Sequence, residues 1–254
     1  MNEAREPDES RIEGKNAVIE ALRAGRALDK VFLVRGEQDK ALRFIAQKAK
    51  AQGAVISEVD RHKLDAMSAT HAHQGVIAVA AVREYDTLES ILALAEERGE
   101  KPLVVVCDEI TDPHNLGAII RTAEAAGAHG VVIPKHRSAG VTAVVEKTSA
   151  GAVEHMAVAR VPNLNAALEQ LKQAGLWVFG TAAEGDRSLW EADLSDGAVI
   201  VIGSEGTGMS RLVREACDFL VSIPMHGKVS SLNASAAAAV VLYEAVRQRS
   251  GKTR

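Results

Sequence analysis

Residues 200–239 read IVIGSEGTGMSRLVREACDFLVSIPMHGKVSSLNASAAAA. The apolar run that ends at Ile202 stops at a glycine-rich turn, residues 203–208. A second apolar run, 219–223, stops at Pro224 and Gly227, and Ser231-Leu232-Asn233-Ala234-Ser235 then opens a helix of small residues. Strand, glycine loop, strand, loop, helix is the outline of a ligand site at the carboxyl ends of parallel strands. The loop is neither a G-x-G-x-x-G fingerprint nor a Walker loop, and no acidic ribose-binding residue follows it at about twenty residues. A nicotinamide cofactor is therefore disfavoured, although the glycines still permit close backbone approach to a flat ligand.

Outward from this stretch the same alternation continues. Apolar runs at Leu103–Cys107, 130–133, 156–161, 176–181 and 199–202 alternate with helical patterns at 116–126, 142–150 and 164–174. Runs apolar on both faces, separated by helices, predict an α/β fold with a parallel sheet covered on both sides. A smaller α/β pattern precedes it: helix 14–24, strand 30–34, helix 39–51, strand 54–59, helix Arg61–Met67 and strand 75–82. In the helix 39–51, Leu42, Ile45, Ala46 and Ala49 face inward while Lys40, Arg43, Lys48 and Lys50 face outward. A helix over Leu88–Arg98, ended by Gly99, joins the two patterns. The expected division is a first domain at 11–83, a linker at 84–101 and a second domain at 102–254. The acidic stretch 1–10, with Pro7 and no apolar anchor, is expected to be disordered.

Composition narrows the class. The 254 residues carry a net charge of −4 and only 3 % aromatics. That charge gives no global case for a nucleic-acid partner. It is unevenly spread, however: residues 11–83 hold 13 Lys and Arg against 8 Asp and Glu. A basic front half suits phosphate contact, and a solvated surface is the plainer reading. No apolar run approaches a membrane span and no signal peptide is visible, so a cytoplasmic location is expected. Cys107 and Cys217 lack metal-ligand spacing and read as buried thiols of a reducing compartment. His71 and His73, two apart with no third ligand nearby, read as a polar loop rather than a metal site, and no metal is expected.

Three separated stretches then carry a family resemblance. Asp108-x-x-x-Asp112-Pro113-His114-Asn115-x-Gly117-x-x-x-Arg121-Thr122-Ala123, Gly203-Ser204-Glu205-Gly206 and Ser231-Leu232-Asn233-Ala234-Ser235 resemble, in order, the motifs of the TrmH (SpoU) branch of the SPOUT RNA methyltransferases. A weaker similarity links the stretch IEGKNAV at 12–18 and His73-Gln74-Gly75-Val76 to the family's N-terminal RNA-binding domain, which is similar to a ribosomal protein. The resemblance implies an RNA substrate-binding domain followed by an α/β-knot domain, a deep trefoil knot that no periodicity would reveal. It implies S-adenosylmethionine as cofactor, with Thr181, Ala182, Gly203, Ile223, Met225 and Leu232 at the matching positions. It implies Arg121, Asn115, Glu205, Ser231 and Asn233 as the catalytic set, with Arg121 foremost, and a homodimer with active sites near the subunit seam.

The first domain and overall length resemble the branch that methylates the 2′-oxygen of a guanosine in the peptidyl-transferase P-loop of 23S rRNA. The rRNA, or a ribosomal precursor, is thus the expected partner. A tRNA 2′-O-methyltransferase and a non-catalytic RNA-binding or assembly factor are the alternatives.

Each of these residues also has a plainer reading. Asn115 could cap the helix that Asp112-Pro113 begins, and Ser231 could cap the last helix. Ile223 and Leu232 are ordinary core types. Glu205 could be a solvated loop acid. Arg121 stands among Ile119, Ile120, Ala123 and Ala125 and needs either water or a partner for its head group. Val240, Tyr243 and Val246 form an apolar stripe on the last helix, either a dimer seam or core.

Overall fold

A computed structural model of the chain describes residues 11–36 and 39–250; the stretch 1–10 lies outside them. The contacts separate into two units. One runs to Glu84 and includes residues 140–143; the other comprises Tyr85–Ala139 and the chain from Val144 onward.

In the first unit the order is β1 (Arg11–Glu13), α1 (Lys15–Arg23), β2 (Leu28–Val34), α2 (Lys40–Ala51), β3 (Val55–Val59), α3 (Arg61–Met67) and β4 (Val76–Ala80). The sheet order is β1-β4-β2-β3, with β2 and β3 parallel and the other pairs antiparallel. Val18, Leu22, Val31, Leu42, Ile45 and Val76 form its core. Asp39 begins α2 by accepting from the Ala41 and Leu42 amides, which satisfies two of the free N–H groups of the first turn.

The two weaker sequence similarities meet physically in this unit. Glu13, on β1, accepts hydrogen bonds from the Ser68 and Thr70 hydroxyls and from the Ala69 and Thr70 amides. The Gln74 side chain accepts from the Lys15 amide at the start of α1. His73 is no loose polar residue: it is 3 % exposed. Its Nδ1 accepts from the Gly75 amide at 3.0 Å, so its Nε2 carries the proton and donates to Asp65 at 2.8 Å. Strand β1 has no counterpart in the sequence reading, because three half-exposed residues give no alternation to detect.

Burial opposes ionisation of Glu13, but the four hydrogen bonds outweigh it and hold the carboxyl down at about 2, below its ordinary 4.5. A depressed carboxylate pKa stabilises the folded state above the unfolded value and loses that contribution as pH falls through the folded one. The first unit should therefore weaken between about pH 4.5 and pH 2. Glu13→Gln should be less stable at neutral pH and show a flatter decline across that window. Thermal melts of both proteins at pH 6 and pH 3 check this; equal losses on acidification would exclude the clamp as the source.

The second unit follows with α4 (Leu88–Arg98), β5 (Leu103–Cys107), α5 (Pro113–Ala125), β6 (Gly130–Pro134), α6 (Ala143–Thr148), β7 (Val158–Val161), α7 (Leu164–Gln173), β8 (Trp177–Thr181), β9 (Arg187–Ser188), β10 (Ala198–Ile202), α8 (Arg211–Ala216), β11 (Phe219–Ser222) and α9 (Ala234–Ser250). The segment expected as a linker carries α4, whose Leu88 and Ile91 belong to this unit's core. All seven strands pair in parallel, in the order β7-β6-β5-β10-β8-β11-β9. Strands β5 and β10 are buried at every residue, which is why their sequences are unbroken apolar runs dominated by Val and Ile.

The strand order positions the site. From β5 the chain runs outward through β6 and β7, then returns past β5 to β8, so that β10 fills the gap between them. The direction of winding reverses at β5 and β10, and a crevice opens at their carboxyl ends. Two hydrogen bonds stitch the departing loops: the Asp108 amide donates to the Ile202 carbonyl, and the Asp108 carboxylate accepts from the Ser210 amide at 2.6 Å. Helix α9 is held at both ends. At its far end Arg249 donates to the carbonyls of Lys101, Pro102, Leu194 and Asp196.

Candidate active site

A cavity of about 250 Å³ lies at the carboxyl ends of β8, β10 and β11. Thr181, Ala182, Gly203, Ile223, Met225 and Leu232 all line it, and so do Glu205 and Ser231. Its wall is mostly backbone and apolar side chain, including Ile202 and Val221. Thr181 turns its hydroxyl back to the Val201 carbonyl at 2.9 Å and so presents its backbone rather than a donor to the cavity.

The glycine loop is a closed turn. Ser204 and Gly208 exchange both amide–carbonyl hydrogen bonds at 3.0 Å, and the Ser204 and Thr207 hydroxyls meet at 2.7 Å. This closure explains Gly203. A Cβ there would stand 2.4 Å from both the Gly208 carbonyl carbon and the Met209 nitrogen, in contact with backbone that has nowhere to go. The turn projects Glu205 at the cavity mouth.

Glu205 is where three distant parts of the sequence meet. Asn115 Nδ2 donates to Glu205 Oε1 at 2.8 Å, Asn233 Nδ2 donates to the same oxygen, and Asn233 Nδ2 also reaches Asn115 Oδ1 at 2.9 Å. Asn233 Oδ1 faces the other way and accepts from the Ser235 and Ala236 amides at 2.9 and 3.2 Å. One side chain thus caps α9 with its oxygen and fixes the carboxylate with its nitrogen. Both asparagine amides are oriented unambiguously by this arrangement. Glu205 Oε2 makes no hydrogen bond with the described residues.

Two plainer readings of these residues are corrected here. Asn115 is not the cap of α5; Asp112 is, accepting from the His114 amide with Pro113 in the first turn. Ser231 is not the cap of α9; the helix starts at Ala234 and Asn233 caps it. The cap of α5 lies three residues before Asn115 and that of α9 two residues after Ser231.

Arg121 is exposed on α5 and makes no hydrogen bond or ion pair with the described residues. Six residues separate it from Asn115, roughly 9 Å along the helix and about 120° around it. It therefore stands apart from the Asn115–Glu205–Asn233 cluster, and nothing in that cluster orients it. Cys107 is buried and Cys217 half-buried; burial pushes both thiols up to about 12, so neither is a nucleophile. No helix among the described residues is long and apolar enough to cross a membrane.

Sequence reasoning passed over Ala183 and Ala237 on the cavity wall, and quoted Ser204 and Gly208 only as parts of the glycine loop. These contribute through backbone and small size, which leave no chemical signature. Asp108 was quoted only as part of a motif, and its role in joining two loops depends on contact across about a hundred residues of chain.

Known protein families match the sequence of both units. A sequence model described as the SpoU rRNA Methylase family matches residues 102–243, and one described as RNA 2'-O ribose methyltransferase substrate binding matches residues 11–86. YacO of Bacillus subtilis, named as a TrmH family tRNA/rRNA methyltransferase, is 49 % identical over 236 residues, covering 93 % of this chain and 94 % of its own. The SpoU methyltransferase AviRb of Streptomyces viridochromogenes, solved in complex with AdoMet, is 29 % identical with a TM-score of 0.61 and covers 98 % of this chain and 95 % of its own. The A. aeolicus TrmH/SpoU tRNA modifying enzyme is 30 % identical with a TM-score of 0.56, over 65 % of this chain and 86 % of its own.

Proposed function

Since the chain belongs to the SpoU rRNA methylase family, we propose that it transfers a methyl group from S-adenosylmethionine to a ribose 2′-hydroxyl of RNA. We take the RNA to be 23S rRNA or a ribosomal precursor, with a guanosine of the peptidyl-transferase P-loop as the methylated nucleotide.

The charge of the cavity carries the choice of cofactor. Glu205 is the one ionisable side chain among its described lining residues. A wall with a single carboxylate and no cation suits a sulfonium; the two phosphates of a dinucleotide would call for positive partners. The apolar floor of Ile202, Val221, Ile223 and Leu232, with backbone groups at the strand ends, suits a flat purine. S-adenosylmethionine supplies a methyl group already activated for transfer. Calorimetry with S-adenosylmethionine and with NAD tests this part: binding of NAD alone would overturn it.

The protein's own residues then have separable roles. Asn115 and Asn233 hold the Glu205 carboxylate in place, and Glu205 Oε2 accepts a hydrogen bond from the ribose hydroxyl. Ser231, also on the cavity wall, positions the sugar. Arg121 binds an RNA phosphate and stabilises the negative charge that develops on the 2′-oxygen. Its guanidinium, with a pKa above about 12, does not act as a base; the proton leaves to a phosphate oxygen or to water. Aligning the two reactants supplies much of the acceleration, up to about 7–11 kcal/mol in favourable cases.

Asn233→Asp separates capping from site geometry. The new carboxylate still accepts from the α9 amides, and it faces Glu205 with a like charge instead of a donor. Methyl transfer should fall more than about tenfold, while the melting temperature should change by only a few degrees. A variant that melts normally and transfers methyl at the wild-type rate would contradict the role given to the cluster.

Large-subunit RNA is favoured over tRNA because of the first unit. The tRNA modifying enzyme aligns with 65 % of this chain, about the extent of the second unit, whereas residues 11–86 match a substrate-binding domain. We further propose a homodimer whose seam includes the outer face of α9, where Tyr243 is 53 % exposed beside the half-buried Val240 and Val246. Tyr243→Asp should yield monomers in sedimentation; an unchanged dimer would place the seam elsewhere.

A further inference from the structure

We infer that the outer face of α2 is where the first unit grips RNA, with Phe44 as a stacking platform for an unpaired base and Lys40, Arg43 and Lys48 holding the phosphates on either side. The inference rests on the proposed reaction on RNA and specifies the surface that holds the substrate.

Among the described residues Phe44 is the one large hydrophobic of the first unit that is exposed, at 43 %. It is not a casualty of poor packing. Leu42, Ile45 and Ala49 fill the inward side of α2, and Phe44 lies on the opposite face. Lys40 and Lys48 are one turn before and one turn after it, so the three side chains share one line along the helix. Arg43 and Gln47 flank that line, and Lys50 follows in the last turn. The helix Lys40–Ala51 contains four basic residues and no acidic one. Asp39, at its start, is bound to the Ala41 and Leu42 amides and to Lys15 at 2.7 Å, so its charge is already paired.

An aromatic ring in the middle of a helix face whose charges are all basic has the chemistry of a single-stranded nucleic-acid site. Cations track the backbone, and the ring takes a base whatever its identity. Protein partners of similar size usually need a broader apolar patch, and here one ring stands alone among charges. Duplex RNA would be held by the same cations without using the ring. The face is thus suited to a loop or an unpaired strand, the form in which rRNA offers its bases.

The test uses the full-length protein and 23S rRNA from cells lacking the modification. Phe44→Ala should raise the Kd for this RNA roughly tenfold, and Phe44→Tyr should restore it, because the π-face is retained. The triple variant Lys40→Glu, Arg43→Glu, Lys48→Glu should bind more than about tenfold more weakly, with a slope of log K against log salt reduced by about 2. Binding of S-adenosylmethionine should not move in any of them. Arg23→Glu on α1 should behave as wild type. If wild type methylates the rRNA and the Phe44 and triple variants bind and methylate it equally well, the face is not the grip and the proposed reaction stands. If wild type neither binds nor methylates rRNA, both fall together. If the variants lose activity only on ribosomal particles and bind protein-free rRNA normally, the face serves a protein and the inference is overturned.

Discussion

Arg121→Ala is expected to lower methyl transfer by about 10²–10³ and to leave S-adenosylmethionine affinity within about twofold. The expectation follows from where the side chain stands. It is exposed, lacks any partner among the described residues and does not line the cavity. Removing it therefore costs no packing and should not lower the melting temperature. On the proposed reaction, what is lost is a cation that meets charge present only when RNA is bound and the 2′-oxygen becomes negative. Interactions made only in the transition state lower kcat rather than cofactor affinity. Lysine at 121 should recover part of the loss, since it restores the charge but not the two-pronged donor geometry that suits a phosphate. Equilibrium dialysis for the cofactor and single-turnover transfer to rRNA separate the two effects. Parallel loss of both would mean that Arg121 shapes the cavity from a distance.

Gly203→Ala should have the reverse profile, with cofactor affinity falling at least about tenfold and the protein becoming less stable by roughly 1–3 kcal/mol. The added methyl would sit 2.4 Å from backbone atoms of Gly208 and Met209. Backbone cannot rotate away as a side-chain tip can, so the closed turn 204–208 must shift as a body. It carries Glu205, whose position is set to hydrogen-bond length against Asn115. A displacement of a few tenths of an ångström at Gly203 is thus felt by the cavity wall and by the carboxylate together. Gly206→Ala is the informative contrast. Nothing lies within 4 Å of a Cβ there, yet φ is +87°, so the substitution adds local strain without moving the wall. Gly206→Ala should therefore lose stability and keep most of its cofactor affinity. Calorimetry on both variants tests the difference; equal losses of affinity would remove close packing at Gly203 as the reason for glycine there.

How much of this was legible in the sequence depended on the range of the interaction. Strands β5 and β10 were plain because burial on both faces leaves an unbroken apolar run. Helix α2 was plain because its inward positions recur at helical spacing. Strand β9, with two residues, and helix α8, with Val213 its one buried residue, were missed because neither is long enough to show a period. The wall of the cavity was found by family motif and glycine spacing. The motifs also named Asn115, Glu205 and Asn233 on its rim, but not the hydrogen bonds that join them, which span separations of 90 and 118 residues. Local preference alone left the two helix caps beside that cluster open. It offered Asn115 and Ser231 as candidate caps where Asp112 and Asn233 do the capping, since short-range rules rank residue types and tertiary contacts decide among neighbours. His73 read as loop because its partners, Asp65 and the Gly75 amide, become a binding pair only once β4 has folded against the helix before it. Phe44 was assigned to neither face of helix α2 in the sequence reading, because helical spacing sorts the aliphatic and basic positions but gives a lone aromatic no direction; it faces water.

The most direct measurement is transfer of labelled methyl from S-adenosylmethionine to 23S rRNA and to bulk tRNA, each from cells lacking the modification, followed by mapping of the labelled nucleotide and atom. The account predicts label on the ribose 2′-oxygen of one guanosine of the peptidyl-transferase P-loop, and none on tRNA. Label on tRNA alone, or on a base rather than a ribose, would contradict it.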